Sequence, residues 1–244
     1  MNKYIHKSIV PCYDTDLAWR MKPASFMNMA QEIANLHASE LGFGYDDLIT
    51  SRTAWVLSRM NMKFVRAPKW REAISLATWH KGLERLFYLR DFVISDAGGN
   101  PLVLATSSWL VIDLDTRKLV RDPNIMDEST MCSENATDAP AAKVQMPKGV
   151  APELVMQHKV AYSDVDLNGH TNNAMYMHWA MDAVDYAMAS SMPVKEATIN
   201  FNHETRAGEN VSIYRAVAED VDCIRVFVEG KVGDISAFCV ELVF

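Results

Sequence analysis

The stretch from Tyr162 to Tyr186 reads YSDVDLNGHTNNAMYMHWAMDAVDY. Asp164, Asp166, Asn168, His170, Asn172 and Asn173 crowd its first half, and an apolar run with helical spacing follows. Asp166, Asn168 and His170 are two apart, so in an extended chain their side chains point the same way. That spacing predicts one polar face just before a helix. Asn172 or Asn173 is placed to cap the helix by accepting a hydrogen bond from a first-turn amide. The helix start adds unpaired amides and a partial positive charge. An acid, an amide, an imidazole and free N–H groups together can polarise a carbonyl and steer a water. The plainer alternative is an elaborate turn with a cap, since Asp, Asn and Gly are common turn residues.

Around this stretch the chain reads as an ordinary soluble protein. Its 244 residues suit one large domain or two small ones, and 49% are hydrophobic and 23% charged. A net charge of −7 disfavours nonspecific binding to nucleic acid or to an anionic membrane. No basic–aromatic motif for nucleic acid is present. Cys12, Cys132, Cys223 and Cys239 show no paired spacing, which fits reduced thiols rather than a zinc site or a disulfide framework. His158, His170, His178 and His203 are not spaced as metal ligands, and no nucleotide loop appears. No cofactor and no metal are therefore expected. The opening MNKYIHKSIVPCYDTDL lacks a signal peptide's apolar core, and no run is long enough to span a bilayer. The expected location is the cytoplasm, without membrane insertion.

Taken in order, residues 4–13 read as a strand, followed by a helix over 24–41 with Pro23 at its start. Phe26, Met29, Ala30, Ile33 and Leu36 give that helix an apolar face, and Gly42 and Gly44 stop it. A short helix over 45–49 is expected next. Strands follow at 54–65, 72–80, 86–95 and 102–113, with a short piece at 118–120 and a hairpin turn at 97–101. Successive strands joined by short turns imply an antiparallel sheet. Residues 122–150 are polar, proline-containing and without period, and read as a linker. The second half then repeats the order: strand 154–162, polar turn, one helix from about 173 to 190, and strands near 197–202, 210–219, 224–229 and 235–244. The organisation is an N-terminal module (1–121), a linker (122–150) and a C-terminal module (151–244), in an α+β protein.

The repeat extends to single residues. An offset of 150 places Asp14-Thr15-Asp16-Leu17 on Asp164-Val165-Asp166-Leu167, Phe26 on Tyr176 and Ala30 on Ala180. A second offset, of 137, places Met62-Lys63-Phe64 on Ile199-Asn200-Phe201. Asp166 is matched by Asp16, but Asn168 falls on Ala18, His170 on Arg20 and Glu204 on Ala67. Groups that served only the fold would be needed in both copies. Their presence in one copy points to a single asymmetric site in the C-terminal half.

DVDLNGHTNNAMYMHWAMD resembles the Asp-x-Asn-x-His-x-Asn-Asn motif of acyl-ACP thioesterases, and INFNHETRAGENV is similar to the segment that carries their acidic residue. The block from Tyr13 to Asp122 looks like the family's first module, so the resemblance covers nearly the whole chain. It implies a double hot-dog fold, in which each half wraps a curved antiparallel sheet around a long helix. It places the family's catalytic groups on Asp166, Asn168, His170 and Glu204. Gly169 stands where plant members often have glutamine, and Thr205 where they often have cysteine, so a catalytic cysteine cannot apply here. The plastid targeting peptide of plant members is missing, which makes the chain look like the bacterial branch.

The resemblance implies hydrolysis of fatty acyl-ACP to free fatty acid and carrier, in fatty acid biosynthesis. Amides at the helix start would meet the carbonyl oxygen, Glu204 alone or with His170 would activate water, and Asn168 would hold water or carbonyl. Asp166 would orient the site or attack directly. Phe26, Met29, Ile33, Trp55, Leu57 and Met60 are candidates for the acyl tunnel, and the fifteen methionines suit a pliable one. Acyl carrier protein is acidic, which makes Arg66, Lys69, Arg71, Arg85 and Arg90 candidates for docking it. An acyl-CoA thioesterase, a hot-dog hydratase and a non-catalytic acyl-binding protein are the alternatives. The fused halves mimic a dimer of single modules and so permit a monomer; a further homodimer stays open.

Overall fold

The computed structural model describes residues 3–121 and 125–244. The first half contains β1 (Tyr4–Ile9), α1 (Pro23–Glu40), α2 (Tyr45–Thr50), β2 (Thr53–Phe64), β3 (Ala73–Glu84), β4 (Phe87–Asp96) and β5 (Pro101–Asp113). The second contains β6 (Glu153–Lys159), α3 (Asn173–Asp182), α4 (Tyr186–Ser191), β7 (Glu196–Phe201), β8 (Asn210–Glu219), β9 (Ile224–Val232) and β10 (Ile235–Val243). All strands join one ten-stranded sheet in the order β1-β3-β4-β5-β2-β7-β10-β9-β8-β6. The order is a five-strand pattern followed by its mirror, so the two halves meet at β2 and β7. That seam is antiparallel, from Arg59 opposite Asn200 to Lys63 opposite Glu196. Across it the Asn61 amide donates to Thr198 Oγ1 (2.8 Å) and to Glu196 Oε1 (2.6 Å).

The helices lie against the sheet because their apolar faces have nowhere else to go. Phe26, Ala30, Ile33, Ala34, His37 and Ala38 of α1 are buried, a spacing of three and four residues. Leu36, predicted on that face, is exposed; His37 occupies the face instead, its ring 3.0 Å from the Arg90 guanidinium. Pro23 sits at the first turn of α1, as expected, where its missing N–H costs nothing.

Two expectations need correction, the single helix over 173–190 and Arg90 as a docking residue. The helix foreseen from 173 to 190 is two. α3 ends at Asp182 and α4 starts after Asp185, whose carboxylate accepts from Ala187 N (2.9 Å) and Met188 N (3.2 Å). A capping aspartate that satisfies two first-turn amides outcompetes helix continuation. The described part of the linker, 125–150, is hydrogen-bonded to strands of both halves. Trp79 Nε1 donates to Glu134 O, Ala136 N donates to Asp91 Oδ2, and the Asn200 side chain accepts from Val144 N (2.5 Å) and donates to Ala142 O (3.0 Å). Residues 122–124 of that linker lie outside the described residues. Arg90, proposed for carrier docking, is buried at 5% exposure and bonds His37 and Thr78 Oγ1. It points at α1 because it shares a face of β4 with the core residues Phe92 and Ile94, two and four positions on. Burial pulls its guanidinium down to about 9, and burial with Arg90 nearby pulls His37 and His80 to about 4.

Asn200→Ala removes both bonds that hold the 125–150 segment to β7. It should cost about 1–3 kcal/mol, chiefly by leaving the buried Val144 N–H unpaired. Denaturant unfolding should show a lower midpoint, and an unchanged midpoint would mean that these two bonds contribute nothing to stability.

Candidate active site

The motif from Asp164 to Asn172 is a closed turn, not the extended run expected from its period-two spacing. Asp166 N donates to His170 O (3.0 Å) and Gly169 N donates to Asp166 O (3.0 Å). Gly169 adopts φ 75°, a left-handed conformation that suits glycine. Asp166 Oδ1 accepts from Asn168 N at 2.8 Å. The polar groups therefore converge through a turn. Asp164 is buried and structural: its carboxylate takes His158 Nε2 (2.8 Å) and Ala161 N (2.7 Å).

A second loop is clasped to this turn. Thr171 N donates to Thr205 O (2.9 Å), Gly208 N to Val160 O (2.9 Å) and Val160 N to Glu209 O (2.9 Å). From α3, Tyr176 OH accepts from Thr205 N and bonds Thr205 Oγ1, both at 3.0 Å. Thr205 itself is fully buried and its hydroxyl also meets Thr171 Oγ1. Thr205 is thus a knot in the scaffold, and its neighbour Glu204 is delivered beside the turn.

The three backbone bonds of this clasp recur in the first copy, while Phe26 and Pro68 stand where Tyr176 and Thr205 make the side-chain ties. Met21 N donates to Pro68 O (2.7 Å), Arg71 N to Val10 O (2.9 Å) and Val10 N to Glu72 O (3.0 Å). Each pair is related to its partner by the offsets of 150 and 137 read from the sequence. What differs is the chemistry. Asp16 Oδ1 accepts from Ala18 N and Arg20 N, and its Oδ2 from Arg20 Nε (2.7 Å), so both oxygens are occupied. Arg20 also donates to Ala189 O and Ser190 O at the end of α4. In the second copy Asp166 Oδ2 has no hydrogen-bond partner among the described residues, and His170 turns away to face Glu204.

His170 Nε2 lies 3.3 Å from Glu204 Oε1 and 3.2 Å from Arg206 Nη2. Arg206 Nη2 also donates to Glu204 Oε1 (2.9 Å), and Arg117 Nη2 donates to Glu204 Oε2 (2.8 Å). Partial burial pushes the Glu204 carboxyl upward, but the two guanidiniums outweigh it and hold the group below the ordinary carboxylate range. Glu204 is a fixed anion, and a weaker base than expected. Asn172 is the cap of α3, accepting from Ala174 N (2.8 Å), and Gln31 of α1 donates to the same oxygen (3.2 Å). Thr171, Asn172 and Ala174 amides are taken; that of Asn173 has no partner among the described residues. Asn168 is exposed, and its side chain has no partner among them either.

A narrow cleft under α1 is lined by Met27, Ala30, Gln31, Leu57, Met60, Phe92, Ser107 and Trp109. Of the tunnel candidates, Leu57 and Met60 line it. Phe26 and Ile33 are packed in the main core, Met29 rests against that core, and Trp55 meets Phe43 and Tyr88 edge-to-face. Of the docking candidates, Arg66, Lys69 and Arg71 border an open depression with Trp70 and Glu72. Under the 137 offset they surround the copy that lacks histidine and glutamate, not the His170–Glu204 pair. Arg85 is exposed where β3 turns into β4. Arg117, Arg206 and Gln31 were not foreseen. Arg206 lay two residues from Glu204 in the quoted segment, whereas nothing in the chain pattern links Arg117 or Gln31 to the motif.

Two like modules fused through one antiparallel seam, with a polar site in only one of them, define a double hot-dog protein. The profile of the acyl-ACP thioesterase N-terminal domain matches residues 1–130, and that of the C-terminal domain matches residues 148–232. The chain belongs to the acyl-ACP thioesterase family. It is 25% identical over 224 residues to oleoyl-acyl carrier protein thioesterase 2, chloroplastic, of Arabidopsis thaliana, covering 85% of this chain and 61% of that protein. It is 24% identical over 250 residues to the chloroplastic oleoyl-acyl carrier protein thioesterase of Coriandrum sativum, covering 96% and 68%. An acyl-ACP thioesterase from Bacteroides thetaiotaomicron superposes with a TM-score of 0.81 at 23% identity, covering 100% of this chain and 98% of that one. The 12:0-ACP thioesterase of Umbellularia californica gives 0.85 at 18% identity, covering 99% and 93%. These superpositions show the fold.

Tyr176→Phe strips Thr205 N of its acceptor. The buried N–H left behind should lower stability by about 1–3 kcal/mol in denaturant unfolding. An unchanged midpoint would remove Tyr176 from the clasp that presents Glu204.

Proposed function

We propose that this chain hydrolyses the thioester of fatty acyl–acyl carrier protein, giving free fatty acid and the carrier thiol. The observation that carries the reading is the 3.3 Å approach of His170 Nε2 to Glu204, in the one copy of a duplicated frame that holds both. One nitrogen faces an acceptor and a donor. Protonated, it meets Glu204 Oε1; unprotonated, it accepts from Arg206. Both states of the ring thus have a partner, which suits a group that takes a proton and returns it.

Water attacks the thioester carbonyl carbon while His170 takes its proton. The oxyanion is met by amide hydrogen at the start of α3, where Asn173 N–H has no other partner among the described residues and the helix dipole favours negative charge. The tetrahedral adduct collapses, the C–S bond breaks, and the departing carrier sulfur takes the proton from the imidazolium. Glu204 holds the ring and balances its charge. Asp166, whose Oδ2 has no partner among the described residues, directs the water; Asn168, exposed beside it, contacts water or substrate. The acyl chain enters the cleft under α1, which opens by rotation of Met27 and Met60, side chains flexible enough for it. The acyl carrier protein as partner is supported by family membership; a CoA thioester would use the same chemistry.

Thiol release from acyl-ACP tests this. Replacing His170, Glu204, Asp166 or Asn168 by Ala should cut kcat by roughly two to four orders of magnitude where each contacts the transition state. Wild-type rates in both His170→Ala and Glu204→Ala would reject the assignment. Equal kcat/KM on matched CoA thioesters would reject the carrier preference.

A further inference from the structure

Arg117 belongs to the first module, yet its guanidinium sits on the second module's carboxylate. It extends from the turn that closes β5. Asp113 Oδ1 fixes that turn by accepting from Asp115 N (3.1 Å), Thr116 N (2.7 Å) and Thr116 Oγ1 (2.9 Å). Asp113 N and Lys118 O close it at 2.9 Å, and Arg52 pairs with Asp115 on its outer side. A surface arginine on so well-anchored a turn would be free to point at solvent. Instead it spans 87 positions of sequence to reach Glu204 Oε2 at 2.8 Å.

We propose that Arg117 is a positioning residue of the active site: it takes one oxygen of Glu204 and leaves the other aimed at His170. The inference rests on the hydrolase reading above. Among the described residues, three side chains meet the Glu204 carboxylate. Arg117 comes from the turn after β5, Arg206 from Glu204's own loop and His170 from the motif turn; the nearby Tyr176 hydroxyl of α3 is engaged by Thr205. Of the three, Arg117 alone bonds Oε2. Without it, Arg206 is free to chelate both oxygens and draw Oε1 away from the imidazole, since a guanidinium fork matches a carboxylate. Arg117 also makes the site depend on both modules, because the first module supplies the cation that orders the second module's acid.

The test is a double-mutant cycle on acyl-ACP hydrolysis. Arg117→Ala should lower kcat about ten- to a hundredfold with little change in KM, the cost of a misplaced group. Because Arg117 helps hold Glu204 below the ordinary carboxylate range, its loss raises that value. The titration of the Glu204 carboxyl itself, followed by NMR, should then move to higher pH. Arg117→Lys should restore that titration better than kcat, since it returns charge without the fork. In a Glu204→Gln background, Arg117→Ala should have no further effect. A wild-type kcat and Glu204 titration in Arg117→Ala, or an equal loss in the Gln background, overturns the proposal. A wild-type protein that releases no thiol defeats the hydrolase reading instead. The Lys and Gln variants keep the test valid if the Ala variant does not fold.

Discussion

The clasp between the turn before α3 and the loop from Thr205 to Glu209 governs everything else in the site. Its central bond, Thr171 N to Thr205 O, ties two segments far apart in sequence at a fixed register. A one-residue slip in either would move His170 or Glu204 out of reach of the other. Tyr176 reinforces the tie from inside the core, where its ring packs against Trp179, Phe201 and Phe238. The placement of a polar, half-exposed pair is therefore set by groups that are buried and apolar or fully hydrogen-bonded. That is how a site at the surface can be rigid.

The first copy shows what the clasp does when the chemistry is absent. Its backbone bonds are the same, so the scaffold requires neither imidazole nor glutamate. Arg20 occupies the position of His170 and spends its guanidinium on Asp16 and on the last carbonyls of α4. That arginine neutralises a carboxylate that would otherwise be unpaired and fastens the first module to the second. The comparison separates the two jobs of Asp166. Oδ1 bonds the turn in both copies and is structural; Oδ2 is occupied in the first and, among the described residues, unpartnered in the second.

Much of this was legible in the chain because local periodicity and duplication are both written in residue types. The strands, the Pro23 helix start and the Asn172 cap follow from such signals. So does the offset of 137, which relates Arg206 to Lys69 and Glu209 to Glu72. In each copy the earlier residue's amide bonds the later glutamate, at 2.7 and 2.8 Å. What was not legible depends on contacts between distant segments. Period-two spacing at Asp166, Asn168 and His170 fits a strand, but Gly169 at positive φ closes a turn instead. Arg90 looked like one more surface cation, and only the pairing of β3, β4 and β5 turns it inward. Arg117 carries no motif at all. Its role comes from the seam of β2 and β7, which brings the end of β5 to the second module's loop.

The account's central claim is that one scaffold, present twice, holds one working site. A crystal structure with a non-hydrolysable amide analogue of an acyl carrier thioester tests it most directly. The account predicts one analogue per chain, its carbonyl beside His170 and the start of α3. Its acyl chain should lie between Met27 and Met60. An analogue bound instead beside Arg20 and Lys69, or one in each copy, would contradict it.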